Sequence, residues 1–486
     1  MTFSQIKFDN RFLNNIPADP ETGNFPRQVM QAYSFVLPTT VSKPQLLAYS
    51  EDVAHKVGFT NTDLASQAFS DVVTGNQLID GMQPYSTCYG GDQFGHWAGQ
   101  LGDGRAINLG QVQSPALGLQ TLQIKGAGQT PYSRHADGLA VLRSSIREYL
   151  CSEAMFHLGI STTRALSLCL SGDKVTRDMF YDGHPIDELG AVVCRVSASF
   201  IRFGSFQLPS VRGDIELLQQ LVDFSITQNF SHLGTPSVEV YLKWFQEISE
   251  KTCQLMVDWM RVGFVHGVMN TDNMSILSET IDYGPYGWID AFDLNWTPNT
   301  TDAQGKRYSF GAQPEIAQWN LFQLANAIFP LINDADALNV ILNDYAVNYE
   351  KQWQVMMQEK LGFDRLEEKI DRELFIRLEK LLSAEEVDMT IFYRLLSSIP
   401  QKSDQWQVHF NGCFYQPDEL PQDYLDSFNF WLTDYQQRLI FNHSSAVERK
   451  VNMDAVNPKY VLRNYLSQQA IEKAESGDFS MIEQLS

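Results

Sequence analysis

Apolar residues recur at helical spacing through most of the second half of the chain. From residue 211 onward they lie three and four positions apart, which predicts long helices over 215–224, 238–262, 315–332 and 338–361. The stretch 460–486 predicts one further polar helix. Within 338–361, large side chains share one helix face and predict core packing: Tyr345, Tyr349, Trp353 and Met356.

The first half carries the shorter pattern of strands. Between residues 88 and 206 glycine is frequent and short apolar segments alternate with turns, as at 106–110 and 119–125. One amphipathic helix interrupts the strands and is expected to begin near Asp137 and Gly138, with Glu148 beside its apolar stripe. That stripe consists of Leu139, Leu142, Ile146, Tyr149 and Leu150.

Residues 1–85 are rich in turn formers, with a short helical pattern at 46–57. Four prolines break this segment before the strands begin: Pro17, Pro20, Pro26 and Pro38. We therefore expect an N-terminal extension that wraps the rest of the molecule.

Composition indicates an ordinary globular protein and excludes several classes. Of 486 residues 44% are hydrophobic and 19% charged, and the formal net charge of −22 argues against a nucleic-acid surface, which needs clustered lysine and arginine. No apolar run reaches about 18 residues and the N-terminus lacks a signal-peptide pattern, so we expect a cytoplasmic protein with no membrane contact. The six cysteines form no CxxC pair, which predicts reduced, buried thiols rather than zinc or disulfides.

Candidate chemistry begins with a glycine-rich run that enters a strand. Gly102 and Gly104 would let backbone N–H groups approach phosphate oxygens, and Arg105 would add positive charge, although a plain turn has the same composition. The run is not a Walker A loop, because no Gly-Lys-Ser/Thr follows it, and 126–128 lacks the third glycine of a dinucleotide-binding fingerprint.

Lys125 ends an apolar strand pattern, and Glu148 follows on the amphipathic helix 23 residues later. A strand lysine paired with a helix glutamate can hold an ammonium group against nucleotide phosphates. A solvated lysine at a strand end is the alternative.

A polar loop at 266–273 is followed by Asp282-Tyr283-Gly284. The amide oxygen of Asn273 and the carboxylate of Asp282 are hard oxygen ligands of the kind that Mg²⁺ takes. This pair predicts a metal site.

In chain order, the glycine loop, strand lysine, helix glutamate, His-Gly loop and Asp-Tyr-Gly reproduce the parts of protein and aminoglycoside kinases. We therefore predict an α+β, protein-kinase-like fold with two lobes. The strand-rich N-lobe is expected at 86–210 and the helical C-lobe at 211–335, with an N-terminal extension at 1–85 and a helical C-terminal extension at 336–486.

One kinase part is missing. Kinases carry a catalytic aspartate five residues before the metal-binding asparagine, and here that position is Val268, which cannot accept a proton. Asp272 is the nearest replacement as a base, with loop capping as its alternative role. Arg195, on a predicted strand, and Arg202 could clamp phosphate oxygens bidentately, although paired surface arginines are common.

At these motifs the chain resembles the selenoprotein O family of pseudokinase-like protein nucleotidyltransferases. The resemblance covers nearly the whole chain and rests on Phe-Gly-His-Trp-Ala-Gly-Gln-Leu-Gly-Asp-Gly-Arg at 94–105, Leu-Gln-Ile-Lys-Gly-Ala-Gly at 122–128, Thr-Pro-Tyr-Ser-Arg at 130–134, Arg-Phe-Gly at 202–204 and His-Gly-Val-Met-Asn-Thr-Asp-Asn-Met at 266–274.

The resemblance implies transfer of AMP from ATP to Ser, Thr or Tyr hydroxyls of proteins, with ATP flipped so that its α-phosphorus faces the acceptor. We also expect UMP transfer as a further activity and a monomer as the acting form. Asp272 then resembles the proton acceptor, Asn273 and Asp282 the ligands of Mg²⁺ or Mn²⁺, and Glu148 the partner of Lys125. The implied nucleotide-binding set is Gly102, Gly104, Arg105, Lys125, Asp137, Gly138, Arg195, Arg202 and Asp282.

Two alternatives remain open at this point. A conventional kinase would phosphorylate a protein or a small molecule through Asp272, and a catalytically dead pseudokinase would bind ATP as a scaffold. The sequence also departs from the family, because it ends in Gln-Leu-Ser without a cysteine tail and reads Trp-Thr-Pro-Asn at 296–299, where bacterial members often carry a cysteine. We therefore expect no thiol regulation.

Overall fold

The structure is a computed structural model that describes residues 3–178, 183–399 and 406–486. Residues 1–2, part of the N-terminus in which we expect no signal peptide, lie outside these ranges. The described strands are β1 Tyr33–Phe35, β2 Gln45–Tyr49, β3 Tyr85–Thr87, β4 Gly90–Gln93, β5 His96–Gln100, β6 Ala106–Ser114, β7 Gly118–Lys125, β8 Arg164–Arg177, β9 Ile186–Ser197, β10 Phe264–Val265 and β11 Gly287–Trp288.

Helices follow the same order along the chain. They are α1 Arg11–Asn15, α2 Glu51–Val57, α3 Asn61–Leu64, α4 Gln67–Val73, α5 Leu142–His157, α6 Phe203–Arg212, α7 Ile215–Asn229, α8 Val238–Val262, α9 Gln313–Ile332, α10 Ala335–Lys360, α11 Glu368–Ala384, α12 Met389–Ser397, α13 Trp406–Phe410, α14 Gln422–Arg438, α15 Ala446–Val456, α16 Asn464–Glu475 and α17 Ser480–Leu485. The α+β class is confirmed, with a sheet-rich region followed by a helical region.

One antiparallel sheet of seven strands forms the sheet-rich region, in the order β1-β3-β6-β7-β9-β8-β2. Successive side chains of a strand point to opposite faces. On β9, Val192, Cys194 and Val196 pack into the core beneath α2 and α4, whereas Ala191 and Val193 pack into the core that includes α5. Both faces of the sheet are therefore buried at β9.

The N-terminal segment contributes directly to this sheet. Strands β1 and β2, both from residues 1–85, are its two edges. The predicted helix over 46–57 is confirmed only in its second half, Glu51–Val57. The first half of the prediction is wrong, because residues 45–49 form β2 and pair with β8. Pairing with a sheet edge outweighs the local helical pattern there.

Helix α5 begins at Leu142 rather than near Asp137. Gly138 has a positive φ of 72°, and a Cβ built there would lie 2.1 Å from the carbonyl oxygen of Gly128. Residues 127 and 139 also form an isolated antiparallel bridge. This pairing holds the segment in an extended turn, so the helix starts only after it.

The long helices of the second half agree with the periodicity. Helix α8 spans the predicted 238–262, and α9 and α10 begin two and three residues before the predicted starts. The stretch 460–486 instead forms two helices, α16 and α17, separated at Gly477, whose φ is positive (90°). Core packing of the stripe on α10 is confirmed, since Tyr345 and Met356 are buried and Tyr349 and Trp353 pack against the same cores.

All six cysteines are free and buried, as predicted. Among the described helices, none has both the length and the apolar character needed to cross a membrane.

Candidate active site

A cleft of about 840 Å³ lies where the end of β7 meets the loops that follow β10 and precede β11. It is lined by side chains from both the sheet-rich and the helical region. Nine residues singled out from the sequence line it together: Gly102, Gly104, Arg105, Lys125, Asp137, Gly138, Arg195, Asn273 and Asp282. Glu148, Arg202 and Asp272 lie behind the lining and contact it.

Glu148 bridges two cations at the inner end of the cleft. Lys125 is the last residue of β7, and its Nζ lies 2.7 Å from Glu148 Oε2 on α5. Arg195 on β9 places Nη1 2.8 Å from Glu148 Oε1. Burial lowers the pKa of Lys125, while the carboxylates of Glu148 and Asp282 counteract that shift. The ammonium group is thus held on a buried carboxylate rather than on water.

Asp282 is the point where the cations converge. Arg195 Nη1 lies 2.6 Å from Oδ1, Arg202 Nη1 lies 2.5 Å from Oδ2, and Lys125 Nζ lies 3.7 Å from Oδ1. Although burial opposes ionisation, Arg202, Arg195 and Lys125 hold the pKa of Asp282 well below its usual range. Asp282 also has a positive φ of 57°, which aspartate tolerates better than most residues.

Three supporting residues were missed in the sequence. Gln123 accepts a hydrogen bond from Arg195 Nη2, Tyr89 lies under the Arg202 guanidinium at 4.5 Å, and Asp103 Oδ1 lies 3.9 Å from Arg202 Nη2. Burial raises the pKa of Asp103. A signal existed for Gln123, because it lies two residues before Lys125 and so shares its strand face.

The loop that carries Asn273 is held by a neutral histidine. Burial lowers the pKa of His266, whose Nε2 lies 2.9 Å from the carbonyl oxygen of Ile281, next to Asp282. The amide N–H of Val268 donates to His266 Nδ1 at 3.4 Å. Since Nδ1 accepts, Nε2 carries the proton and donates to Ile281. The imidazole therefore connects the segment at 266–268 with the segment that carries Asp282.

Asp272 lies under the hairpin formed by β4 and β5. Gln93 Nε2 donates to Oδ2 at 3.3 Å, whereas Oδ1 is buried and has no partner among the described residues. A Cβ on Gly91 would lie 2.6 Å from Oδ1, so only glycine fits above the carboxyl group. Burial raises the pKa of Asp272 to about 6, against the opposing charge of Arg202. This carboxyl group can take up a proton near neutral pH.

Asn273 and Asp282 offer oxygen ligands to the same cleft. Asn273 Nδ2 donates to the carbonyl oxygen of Val268 at 2.9 Å, which leaves the amide oxygen available. Within the described ranges no cluster of three or more His, Cys, Asp or Glu side chains could hold a metal. One amide and one carboxylate oxygen suit Mg²⁺ or Mn²⁺, which complete their shells with water and phosphate oxygens. The residues present fit such a metal.

The outer part of the cleft contains further lining residues to which the sequence analysis assigned no role. They are Tyr132 and Ser133, which belong to the motif at 130–134, and His135 and Arg177. Arg177 ends β8 and forms a two-pronged ion pair with Asp137. Its strand-end position gave no signal, because a basic residue there is usually solvated.

Known proteins are similar to this chain over nearly its whole length. The model of a family described as "Protein adenylyltransferase SelO" matches residues 22–486. The chain is 52% identical over 503 residues to "Protein nucleotidyltransferase YdiU" of Rhodopirellula baltica, covering 100% of this chain and 93% of that protein. The proteins of the same name from Azoarcus sp. and Flavobacterium johnsoniae are 53% and 49% identical over 481 and 484 residues, each covering 99% of this chain and 92% of the relative.

Proposed function

The chain belongs to the protein adenylyltransferase SelO family, and on that premise we propose that this cleft binds ATP and transfers its AMP group to hydroxyl groups of proteins. The chain is accordingly an enzyme, a protein nucleotidyltransferase. We propose Ser, Thr and Tyr side chains as the acceptors, and UTP as a second nucleotide that the same cleft can use.

The convergence of three cations on Asp282 carries this proposal. Lys125, Arg195 and Arg202 are at most 11% exposed, so their charges act in a region from which water is largely excluded. A triphosphate is the anion that such a cluster suits, because charge-assisted hydrogen bonds from arginine to phosphate are strong and often bidentate. Arg105, exposed at the edge of the cleft, adds to the same field.

The fold supports a kinase-like arrangement, which we propose for the two regions. An antiparallel sheet carries the lysine, a helix behind it carries the glutamate, and the helical region supplies Asn273 and Asp282. In kinases the same parts surround the nucleotide. Residues 86–210 and 211–335 would then be the two lobes, with flanking extensions at 1–85 and 336–486.

For AMP transfer, the acceptor hydroxyl oxygen forms a bond to the α-phosphorus while the bond from that phosphorus to the pyrophosphate oxygen breaks. Asp272 would accept the hydroxyl proton, since its Oδ1 has no other partner in the described structure. Lys125 would stabilise charge on the leaving pyrophosphate, and Arg195 and Arg202 would hold the distal phosphates. Asn273 and Asp282 would hold Mg²⁺ or Mn²⁺, which when bound neutralises phosphate charge.

Glycines shape the path of the phosphates in this proposal. Cβ atoms built at Gly102 and Gly104 would lie 2.4 Å from the Tyr132 ring and 3.0 Å from the carbonyl oxygen of Tyr132. The chain therefore passes close to Tyr132 only because both residues lack side chains. The amide N–H groups of Asp103 and Gly104 already donate to the carbonyl oxygens of Thr87 and Gly102, at 3.0 and 2.8 Å. The two glycines therefore act by leaving space beside Tyr132.

Labelled ATP separates AMP transfer from conventional phosphorylation. The protein is incubated with metal and ATP labelled at the α-phosphate, and separately at the γ-phosphate, with the whole protein as its own acceptor and with added proteins. We expect covalent label only from the α-phosphate. Covalent label only from γ would instead establish a kinase, and absence of both with ATP still bound would establish a pseudokinase scaffold.

Two variants test the proposed roles of Lys125 and Asp272. Lys125→Ala and Asp272→Asn should each lower transfer at least a hundredfold, because general-base catalysis contributes about 10²–10⁴-fold and charge stabilisation a similar amount. Lys174→Ala, which removes an exposed lysine on β8, serves as the control and should leave transfer unchanged. Unchanged transfer in Asp272→Asn would remove Asp272 from the mechanism.

We also propose that the protein acts as a cytoplasmic monomer. Six free, buried cysteines suit a reducing compartment. Residues of a single chain line the whole cleft, so no second copy is needed to complete it.

A further inference from the structure

Arg177 and Asp137 form a flat, rigid pair at the outer part of the cleft. Arg177 Nη1 lies 2.7 Å from Asp137 Oδ2, and Nη2 lies 2.7 Å from Oδ1. The amide N–H of Leu139 donates to the same carboxylate at 2.9 Å. Although burial opposes the shift, Arg177 and Leu139 keep the pKa of Asp137 below its usual value. The pair is therefore charged and planar at neutral pH.

The two ends of the cleft differ in exposure and in charge. The side chains of Lys125, Arg195 and Arg202 are 11%, 3% and 1% exposed, whereas those of Arg177 and Asp137 are 29% and 42% exposed. The inner cations suit the phosphates, which carry the negative charge of a nucleotide. If the proposed function holds, the uncharged nucleobase therefore lies toward Arg177.

Arg177 cannot form a two-pronged contact with the edge of a base through its terminal nitrogens, because their four N–H groups are already used. Besides the two contacts with Asp137, Nη1 donates to the carbonyl oxygen of Thr176 at 2.8 Å and Nη2 to that of Leu139 at 3.1 Å. Among the contacts of the described residues, only the single Nε–H and the flat face of the guanidinium group are not used. Guanidinium faces stack well on aromatic rings, nucleobases included.

We propose that Arg177 is a nucleobase-binding residue whose guanidinium face stacks on the base of the bound nucleotide. Asp137 is its positioning residue, since its carboxylate accepts hydrogen bonds from both terminal nitrogens of Arg177 and from the amide N–H of Leu139. Stacking depends on ring area more than on ring identity, so the contact favours a purine over a pyrimidine modestly. The contact thereby favours binding of ATP over binding of UTP.

Binding measurements with three ligands test this proposal. Calorimetry on the full chain uses the α,β-methylene analogues of ATP and UTP, which cannot transfer the nucleotide, and inorganic tripolyphosphate, which has no base. The variants are Arg177→Ala, Arg177→Lys, Lys125→Ala and the control Arg143→Ala. Arg143 also makes a two-pronged pair, at 2.6 and 3.2 Å from Glu188, and is similarly exposed at 27%, but it does not line the cleft.

Arg177→Ala should weaken binding of the ATP analogue about five- to 150-fold, because stacking on a base contributes about 1–3 kcal/mol. The affinity for the UTP analogue should fall less, and the affinity for tripolyphosphate should stay within about twofold of the wild-type value. Arg177→Lys should match Arg177→Ala, since lysine keeps the charge but lacks the plane. Lys125→Ala should lower the affinity for all three ligands. Arg143→Ala should leave all three affinities unchanged.

If Arg177→Ala lost the same factor in affinity for tripolyphosphate as for the ATP analogue, the proposal would be overturned and Arg177 would be a phosphate ligand. Unchanged affinity for the ATP analogue would overturn it as well. Failure of the wild type to bind any of the three would count against the proposed function itself. A drop in all affinities for Arg143→Ala would show that loss of an arginine pair merely perturbs the sheet, again against a specific role for Arg177.

Discussion

Glu279 is a partly buried carboxyl group next to the end of β9, in the segment that leads to Asp282. Ser197, at the end of β9, donates a hydrogen bond to Glu279 Oε2 at 2.6 Å, and Glu279 precedes Asp282 by three residues. Burial raises the pKa of Glu279 from 4.5 to about 7, which the Ser197 hydroxyl opposes. At neutral pH the group is therefore close to its titration midpoint in the folded protein.

This shift predicts a pH-dependent stability. Because the folded pKa exceeds the unfolded one, folding takes up a proton between about pH 4.5 and 7. The stabilisation is full below about pH 4.5 and is lost as the pH rises through 7, about 3 kcal/mol in all at 1.36 kcal/mol per pKa unit. Glu279→Gln stays neutral and can still accept from Ser197, so it should raise Tm at pH 8.5 by a few degrees.

Thermal denaturation at two pH values measures this effect. At pH 4.5 the variant and the wild type should have the same Tm within about one degree. Glu373→Gln, on an exposed glutamate of α11, is the matched control and should change Tm at neither pH. If Glu279→Gln raised Tm equally at both pH values, titration of this carboxyl group would be contradicted.

At the scale of elements, the hairpin of β4 and β5 is fastened to the loop that carries Asp272. The amide N–H of Asp92 donates to Thr271 Oγ1 at 2.7 Å, and that of Phe94 donates to the Tyr308 hydroxyl at 2.9 Å. The Tyr308 hydroxyl in turn donates to Asn270 Oδ1 at 2.6 Å. Phe94 has a positive φ of 51°, an uncommon conformation for a bulky residue that these contacts hold in place.

Removing the hydroxyl group should release the hairpin. Tyr308→Phe removes the hydrogen bonds of the hydroxyl with the Phe94 N–H and with Asn270 Oδ1, at a cost of about 1–3 kcal/mol, and leaves these two groups only their longer contact of 3.3 Å with each other. Hydrogen exchange followed by mass spectrometry should show at least tenfold faster exchange in peptides that cover 90–100, with exchange of α8 unchanged. The control is Tyr465→Phe, whose side chain is exposed on α16. Unchanged exchange in 90–100 would show that the hydroxyl does not fasten the hairpin.

At the scale of the whole molecule, the ion pairs around Asp282 connect the two regions. Arg195 comes from the sheet and Asp282 from the helical region, 87 residues apart in the chain. Arg195 is 3% exposed and also neutralises Glu148. Loss of one partner of a buried pair leaves a charge that neither water nor a counter-charge compensates.

Arg195→Met should therefore lower stability far more than loss of a surface pair. Breaking a buried ion pair costs about 3–5 kcal/mol, whereas an exposed pair contributes about 0–1 kcal/mol. Calorimetric unfolding should show a Tm lowered by several degrees for Arg195→Met and by little for Arg143→Met, which breaks the partly exposed pair with Glu188. Equal shifts in the two variants would refute a special role for the buried network.

Much of the local architecture was readable from the chain. Helical periodicity located α8, α9 and α10 to within about three residues, because burial of one helix face imposes that spacing. Nine cleft residues followed from motif order and from a family resemblance rather than from periodicity.

Tertiary structure decided what depends on partners distant in sequence. The start of α5 was misplaced because the pairing of 127 with 139 overrides the pattern at 137–141, and β2 was misread because a sheet edge was there to receive it. Arg177 could not be identified as a cleft residue until β8 placed it beside Asp137, 40 residues earlier.

The sequence by itself determined the class of fold, the reduced cysteines and which polar residues could carry chemistry, because periodicity, composition and residue type are local properties. Only the tertiary structure decided that Lys125, Arg195 and Arg202 meet on one carboxylate, and that Asp272 lies buried under Gly91 with one oxygen free. Electrostatic energies and pKa values depend on distance and on exclusion of water, and the folded chain alone sets both.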